Sequence, residues 1–141
     1  MKSQVLVLAT LAGLFVPMAQ AAAPVGTAGK TDWLTKHPTI QKLVDLTNQH
    51  RAQSGLGPVT VNGEMCLAAH RHAEWMASAG ALQHSGLPYR ENIFLGPATP
   101  DAAVQGWINS PAHRANLLSG SQVGFGYVNR NGQLAWVAVF Q

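Results

Sequence analysis

The C-terminal end of the chain constrains its fold most. Val123-Gly124-Phe125-Gly126-Tyr127-Val128 and Leu134-Ala135-Trp136-Val137-Ala138-Val139-Phe140 are β-rich runs divided by Asn129-Arg130-Asn131-Gly132-Gln133. The Asn-Gly pair marks a tight hairpin, because the central positions of such a turn need positive φ. Two antiparallel strands alone are marginal in water, so the hairpin has to be covered by something. The preceding sequence supplies the cover, because its apolar residues recur at helical spacing.

After Pro38, Ile40, Leu43, Val44, Thr47, His50 and Arg51 recur at three and four residues, which places one face of a helix inward. Ser54-Gly55-Leu56-Gly57-Pro58 ends it. Pro58-Val59-Thr60-Val61 is a short extended link, and Asn62 reads as the N-cap of a second helix. That helix carries Met65, Ala68, Ala69, His72, Ala73 and Met76 on one face and stops at Gly80. Two shorter helices are signalled by a hydroxyl residue followed by proline, at Thr99-Pro100-Asp101 and Ser110-Pro111-Ala112. Ile93-Phe94-Leu95 can add a third strand. Helices first and an antiparallel sheet last predict an α+β fold with helices packed on a small sheet. There is no internal repeat.

The N-terminus reads as a secretory signal. Lys2 gives a positive start, Val5 to Pro17 an apolar core, and Ala19-Gln20-Ala21 a small-residue cleavage site. The expected organisation is a signal peptide over 1–21, a flexible arm over 22–38 that Trp33 and Leu34 could anchor, and one domain over 39–141. The expected location is secreted or periplasmic. No second apolar run is long enough to span a membrane, so no transmembrane segment is expected in the mature chain. The formal net charge of +3 rests on scattered Lys and Arg rather than a basic cluster, which argues against a nucleic-acid partner. Cys66 is the single cysteine, cannot form an internal bridge, and lies among Met65, Leu67 and Ala68 as a buried thiol would.

The chemistry-bearing residues concentrate between His84 and Leu118. Two imidazoles, His84 and His113, and one carboxylate, Glu91, have the composition of a small metal site or an acid/base site. If they converge, they form the ligand set of an open catalytic centre for zinc or another divalent cation, and a hydrolase would still need a second base. The alternative is architectural: Glu91 and His113 bond backbone amides or each other and tie the loop between strand and helix. Asn92 reads as satisfying loop backbone groups, and Arg114 as pairing with a carboxylate. Among the other residues, His72 is expected in the core, His70 solvated, and Trp75, Trp107 and Trp136 in the core.

These segments together resemble the CAP superfamily, which joins the cysteine-rich secretory proteins, antigen 5 and the pathogenesis-related class 1 proteins, in its compact, disulfide-free bacterial form. The residues that carry the resemblance are Asn48-Gln49-His50-Arg51, Leu67-Ala68-Ala69, His84-Ser85, Glu91-Asn92-Ile93, Trp107-Ile108-Asn109-Ser110-Pro111-Ala112-His113-Arg114-Ala115-Asn116-Leu117-Leu118 and Gly124-Phe125-Gly126. The resemblance implies an α-β-α sandwich with a cleft holding two histidines and two glutamates, sometimes with a divalent metal. His84 matches the first histidine, Glu91 one glutamate, and His113 the histidine of the bacterial Ser-Pro-x-His-Arg-x-Asn segment. The second glutamate, expected after Trp107, and the second histidine, expected near Trp136, are both absent.

Three functions follow as expectations. The first is a secreted module that binds a small molecule, lipid, glycan or protein in a cleft lined by His84, Glu91, Asn92 and His113, or in an apolar groove. The second is a metal-assisted hydrolase of peptide or cell-wall material, and the third a structural or stress-related extracellular protein. The missing carboxylate favours the first.

Overall fold

The computed structural model describes residues 29–141. The expected signal peptide and the start of the expected arm lie outside them. Five helices and four strands follow in the order α1 (Asp32–Thr35), α2 (Pro38–Gln53), β1 (Thr60–Val61), α3 (Gly63–Ala79), β2 (Arg90–Leu95), α4 (Pro100–Asn109), α5 (Pro111–Leu117), β3 (Gln122–Arg130) and β4 (Gln133–Phe140). The strands form one sheet in the order β1-β3-β4-β2. β3 and β4 are the expected hairpin, and Asn131 and Gly132 both take positive φ, 51° and 84°, at its turn. β2 runs antiparallel to β4 on the far side. The extended link before α3 contributes β1, which pairs parallel with β3 over two residues, Thr60 with Gln122 and Val61 with Val123.

Both faces of the sheet are covered, as the run from Leu134 to Phe140 requires, since a strand with one wet face would alternate apolar and polar residues. Along β4, Ala135, Val137 and Val139 join Met65, Ala69, Ala73 and Met76 of α3. The alternate residues Trp136, Ala138 and Phe140 face a second layer with Ile40 and Leu43 of α2, Val104 and Trp107 of α4, and Leu117 of α5. The result is the α-β-α sandwich.

The helix boundaries follow the expected signals with one exception. Asn62 Oδ1 accepts from Met65 N–H, Thr99 Oγ1 accepts from Ala102 N–H, and Gly80 ends α3 with φ 61°. Ser110 occupies the N-cap position of α5 but makes no side-chain capping bond there. Packed structure also begins ahead of residue 39. In α1, Leu34 is buried with the α2 layer, while Trp33 is exposed and meets His70 edge to face, at a centroid distance of 5.1 Å. His70 is therefore partly covered rather than solvated.

Trp107 and Trp136 are in the core as expected, and Trp75 is not; 45% of its surface is exposed. His72 is half-buried at the edge of α3, not in the core. Arg114 is exposed on α5 and has no carboxylate partner among the described residues, so the expected pair does not form. The arginine that fixes the fold is Arg51. Its guanidinium donates to the carbonyls of Gly57, Leu117, Ser119 and Gly120 at 2.8–3.1 Å. Burial pulls its pKa below the ordinary value of an arginine. Cys66 is buried and free; burial raises its thiol pKa, while a bond from Phe125 N–H partly opposes that.

Candidate functional site

The site forms at the outer edge strand of the sheet, where β2 meets α5 and the loop after α3. Neighbouring residues of a strand point to opposite faces, and here that separates two roles. Glu91 pairs in register with Val139, whose side chain faces α3, and Asn92 with Ala138, whose side chain faces the other layer. Glu91 accordingly reaches the loop that follows α3, and Asn92 reaches α5.

Asn92 is fully buried. Its Nδ2 donates to the His113 carbonyl at 2.9 Å, and its Oδ1 accepts from Asn116 Nδ2 at 2.9 Å. Asn116 Nδ2 also reaches the Glu91 carbonyl at 3.3 Å, and Trp107 Nε1 donates to the Ile93 carbonyl at 3.3 Å. Side chains of α4 and α5 thus take the place of a further strand on the edge. Asn92 is a tie between strand and helix, which is the role expected of it, with a helix backbone as its partner rather than a loop.

His84 and Glu91 do meet. Glu91 Oε1 accepts from His84 Nδ1 at 2.7 Å and from Ser85 N–H at 2.9 Å. Because an ionised carboxylate only accepts, the ring proton of neutral His84 sits on Nδ1, and Nε2 is left as an acceptor. The two partners differ in exposure: the Glu91 side chain is 6% exposed and the His84 side chain 63%. Glu91 Oε2 is buried and has no hydrogen-bond partner among the described residues. A buried carboxylate oxygen without a donor is costly, so it marks a place where a donor from outside would be welcomed.

His113 is half-buried at the start of α5. Burial, and then the positive charge that the nearby His84 ring carries when protonated, hold its pKa below the ordinary 6.5, so it resists protonation. The sequence trio therefore shares one neighbourhood, with a direct bond only between His84 and Glu91. His84 Nδ1 and Glu91 Oε1 are spent on each other, and among the described residues no group of three His, Cys, Asp or Glu could hold a metal ion. Ser85 Oγ accepts from Leu87 N–H at 3.1 Å in a local turn.

A groove that the sequence did not disclose runs from His84 along α3. A cavity of about 240 Å³ is lined by His72, Trp75, Gln83, His84 and Ser85. An adjoining one of about 330 Å³ shares His72, Trp75 and Ser85 with it and adds Ala68, Arg71 and Leu87. His72 Nε2 donates to the Gln83 carbonyl at 2.6 Å, and its ring stacks on Trp75 with an interplanar angle of 8°. The spacing of residues 71, 72 and 75 on a helix was visible in the sequence. Nothing local said that this face would be left open.

The three-layered sandwich is the fold of a CAP domain. The chain belongs to that group: residues 44–140 match the model of the cysteine-rich secretory protein family, CAP. The uncharacterized protein YkwD of Bacillus subtilis is 30% identical over 132 residues, covering 77% of this chain and 51% of that protein. Secreted protein RBT4 of Candida albicans is 32% identical over 91 residues, covering 63% of this chain and 25% of RBT4. The chain thus spans about half or less of these two relatives. An outer surface protein of Borrelia burgdorferi has the same fold, with a TM-score of 0.68 at 15% identity, over 74% of this chain and 92% of that one. Among the described residues no helix is long and apolar enough to cross a membrane.

Proposed function

We propose that the chain is an exported binding module whose cleft, bordered by His84, Glu91 and His113, takes a small polar ligand directly. The observation that carries this is Glu91 Oε2, buried and without a donor beside an oxygen that already has two. A ligand hydroxyl, amide or ammonium would supply the missing hydrogen bond once the exposed His84 ring turns aside to open that oxygen, and a charged carboxylate acceptor makes such bonds stronger than neutral ones. His84 Nε2 adds an acceptor beside it. Export through a signal peptide over residues 1–21 is part of the reading, supported by the leader-like sequence and by membership of a family whose members are extracellular.

The test is a screen of small polyols, amines and amides by NMR, read on the ring C–H signals of His84 and His113. Binders should move both rings, and Glu91→Gln should weaken them by about tenfold, worth about 1.4 kcal/mol. If no class of fragment moves the rings, or if Glu91→Gln binds as well as the parent, the reading fails. Zinc titrated by calorimetry into chelator-stripped protein should show no micromolar site. Micromolar binding lost in both His84→Ala and His113→Ala would replace this reading with a metal-assisted one.

A further inference from the structure

We propose that the groove along α3 is a glycan subsite that takes a carboxylate-bearing pyranose, a uronic-acid unit, with the sugar ring laid against Trp75 and its carboxylate held by Arg71. The inference deepens the cleft reading and rests on it in one respect, that His84 closes one end of the groove.

Three observations carry it. The first is Trp75 itself. An indole 45% exposed on a helix whose inner face already holds Met65, Ala69, Ala73 and Met76 does nothing for the core. Its ring is held in place by the parallel His72 ring, at a centroid distance of 5.7 Å, and His72 is in turn fixed by its bond to the Gln83 carbonyl. An aromatic ledge already locked in orientation loses little entropy when a ligand lies on it. The electron-rich face of an indole attracts the weakly positive C–H groups that one face of a pyranose presents.

The second is the company Trp75 keeps. The part of the groove beside His84 has one hydrophobic residue, Trp75, among Gln83, His84, Ser85 and His72. A lipid tail needs a continuous apolar lining. A sugar needs one apolar surface with donors and acceptors around its edge, as this groove provides. Ser85 Oγ accepts from Leu87 N–H, so its hydroxyl proton is available to donate to a sugar oxygen.

The third is charge. Arg71 lies one helical turn from Trp75 and lines the adjoining cavity with it. It forms no ion pair among the described residues, and no carboxylate lines either part of the groove. A planar guanidinium beside an aromatic ledge is suited to hold a carboxylate by two parallel hydrogen bonds. A sugar that carries its carboxylate on the ring therefore fits the groove better than a neutral one.

The experiment is a titration of the 15N-labelled protein with methyl glucuronide, with methyl glucoside as the neutral match, read on the indole Nε1–H signals. Saturable movement of the Trp75 signal is expected, with the glucuronide binding about tenfold more tightly than the glucoside. Trp75→Ala should abolish binding of both, and Trp75→Phe should keep part of it. Arg71→Gln should bring the glucuronide to the level of the glucoside, as should salt near 1 M, where screening acts over about 3 Å. Both substituted side chains are on the surface, so the fold should survive, and unchanged signals from Trp107 and Trp136 verify that. Equal affinity for the two sugars, movement confined to other tryptophans, or no saturable movement would overturn the proposal. The two readings separate cleanly. Polar fragments moving the His84 and His113 rings while Trp75 stays silent to both sugars leave the cleft standing and sink the glycan subsite. A Trp75 response with both histidine rings silent to every fragment does the reverse.

Discussion

His113 shows how much one residue's surroundings decide about its chemistry. In the sequence it follows Ser110-Pro111-Ala112 and reads as a local hydrogen-bond partner before it reads as a ligand. In the fold its backbone carbonyl is held by Asn92, while its ring is half-buried near His84 and titrates below 6.5. The consequence for stability has a definite sign. The unfolded chain takes up this proton at a higher pH than the folded one does, so folding is disfavoured wherever the proton is bound in the unfolded state alone. The neutral ring costs nothing well above pH 6.5. Stability falls as the pH drops through 6.5 toward the folded value, and the penalty levels off below it. Denaturant midpoints measured between about pH 8 and about pH 5 should therefore decline on the acid side, and His113→Gln should flatten that decline. A profile unaltered by the substitution would assign the acid sensitivity to other groups. His84 and Glu91 were recognisable as residue types seven positions apart, but only the loop conformation between them turns that spacing into a 2.7 Å bond.

At the scale of elements, α3 lies close on β3, and two glycines make it possible. A Cβ at Gly124 would strike the backbone of Met65 and Cys66, and one at Gly126 the backbone of Ala69 and His70. Neither glycine has a positive φ, so the reason for them is space and not turn geometry. Small residues on the helix, Ala69 and Ala73, complete the fit. Gly126→Ala should cost about 3 kcal/mol, since helix and strand backbones must separate. In a domain of this size that lowers the melting temperature by well over about 10 °C, measurable by circular dichroism. Gly57→Ala is the control, because nothing lies within 4 Å of a Cβ there, and it should change the melting temperature by a few degrees at most. The alternation Gly124-Phe125-Gly126 is plain in the sequence. That the glycine face, and not the phenylalanine face, meets α3 follows from the packing of two layers at once.

Across the whole molecule, Arg51 joins parts that no local pattern connects. It sits near the end of α2 and binds the carbonyls of Leu117, Ser119 and Gly120, between 66 and 69 residues away, in the turn that leads from α5 into β3. That turn also receives the end of the chain, since Ser121 and Gln122 N–H groups donate to the Gln141 carbonyl. A charged fork is the one side chain that can serve four carbonyls from a single buried position. Arg51→Met should leave them unpaired and cost about 3 kcal/mol or more in a urea titration. Arg51→Lys should recover only part, because an ammonium cannot span the same acceptors. A methionine variant as stable as the parent would mean that water takes over the carbonyls.

The sequence by itself determined what depends on a few neighbouring residues: the caps at Asn62 and Thr99, the stop at Gly80, the Asn131-Gly132 turn, and the doubly apolar strand ending at Phe140. Each rests on backbone geometry or hydrogen bonds closed within a turn or so of chain. Tertiary structure alone decided that Trp75 stays open while Trp107 and Trp136 are covered, and that, among the described residues, Arg114 goes unpaired while Arg51 is enclosed and Glu91 keeps one oxygen without a donor. Burial and long-range pairing depend on which layer lies above a residue, and a chain read position by position does not contain that layer.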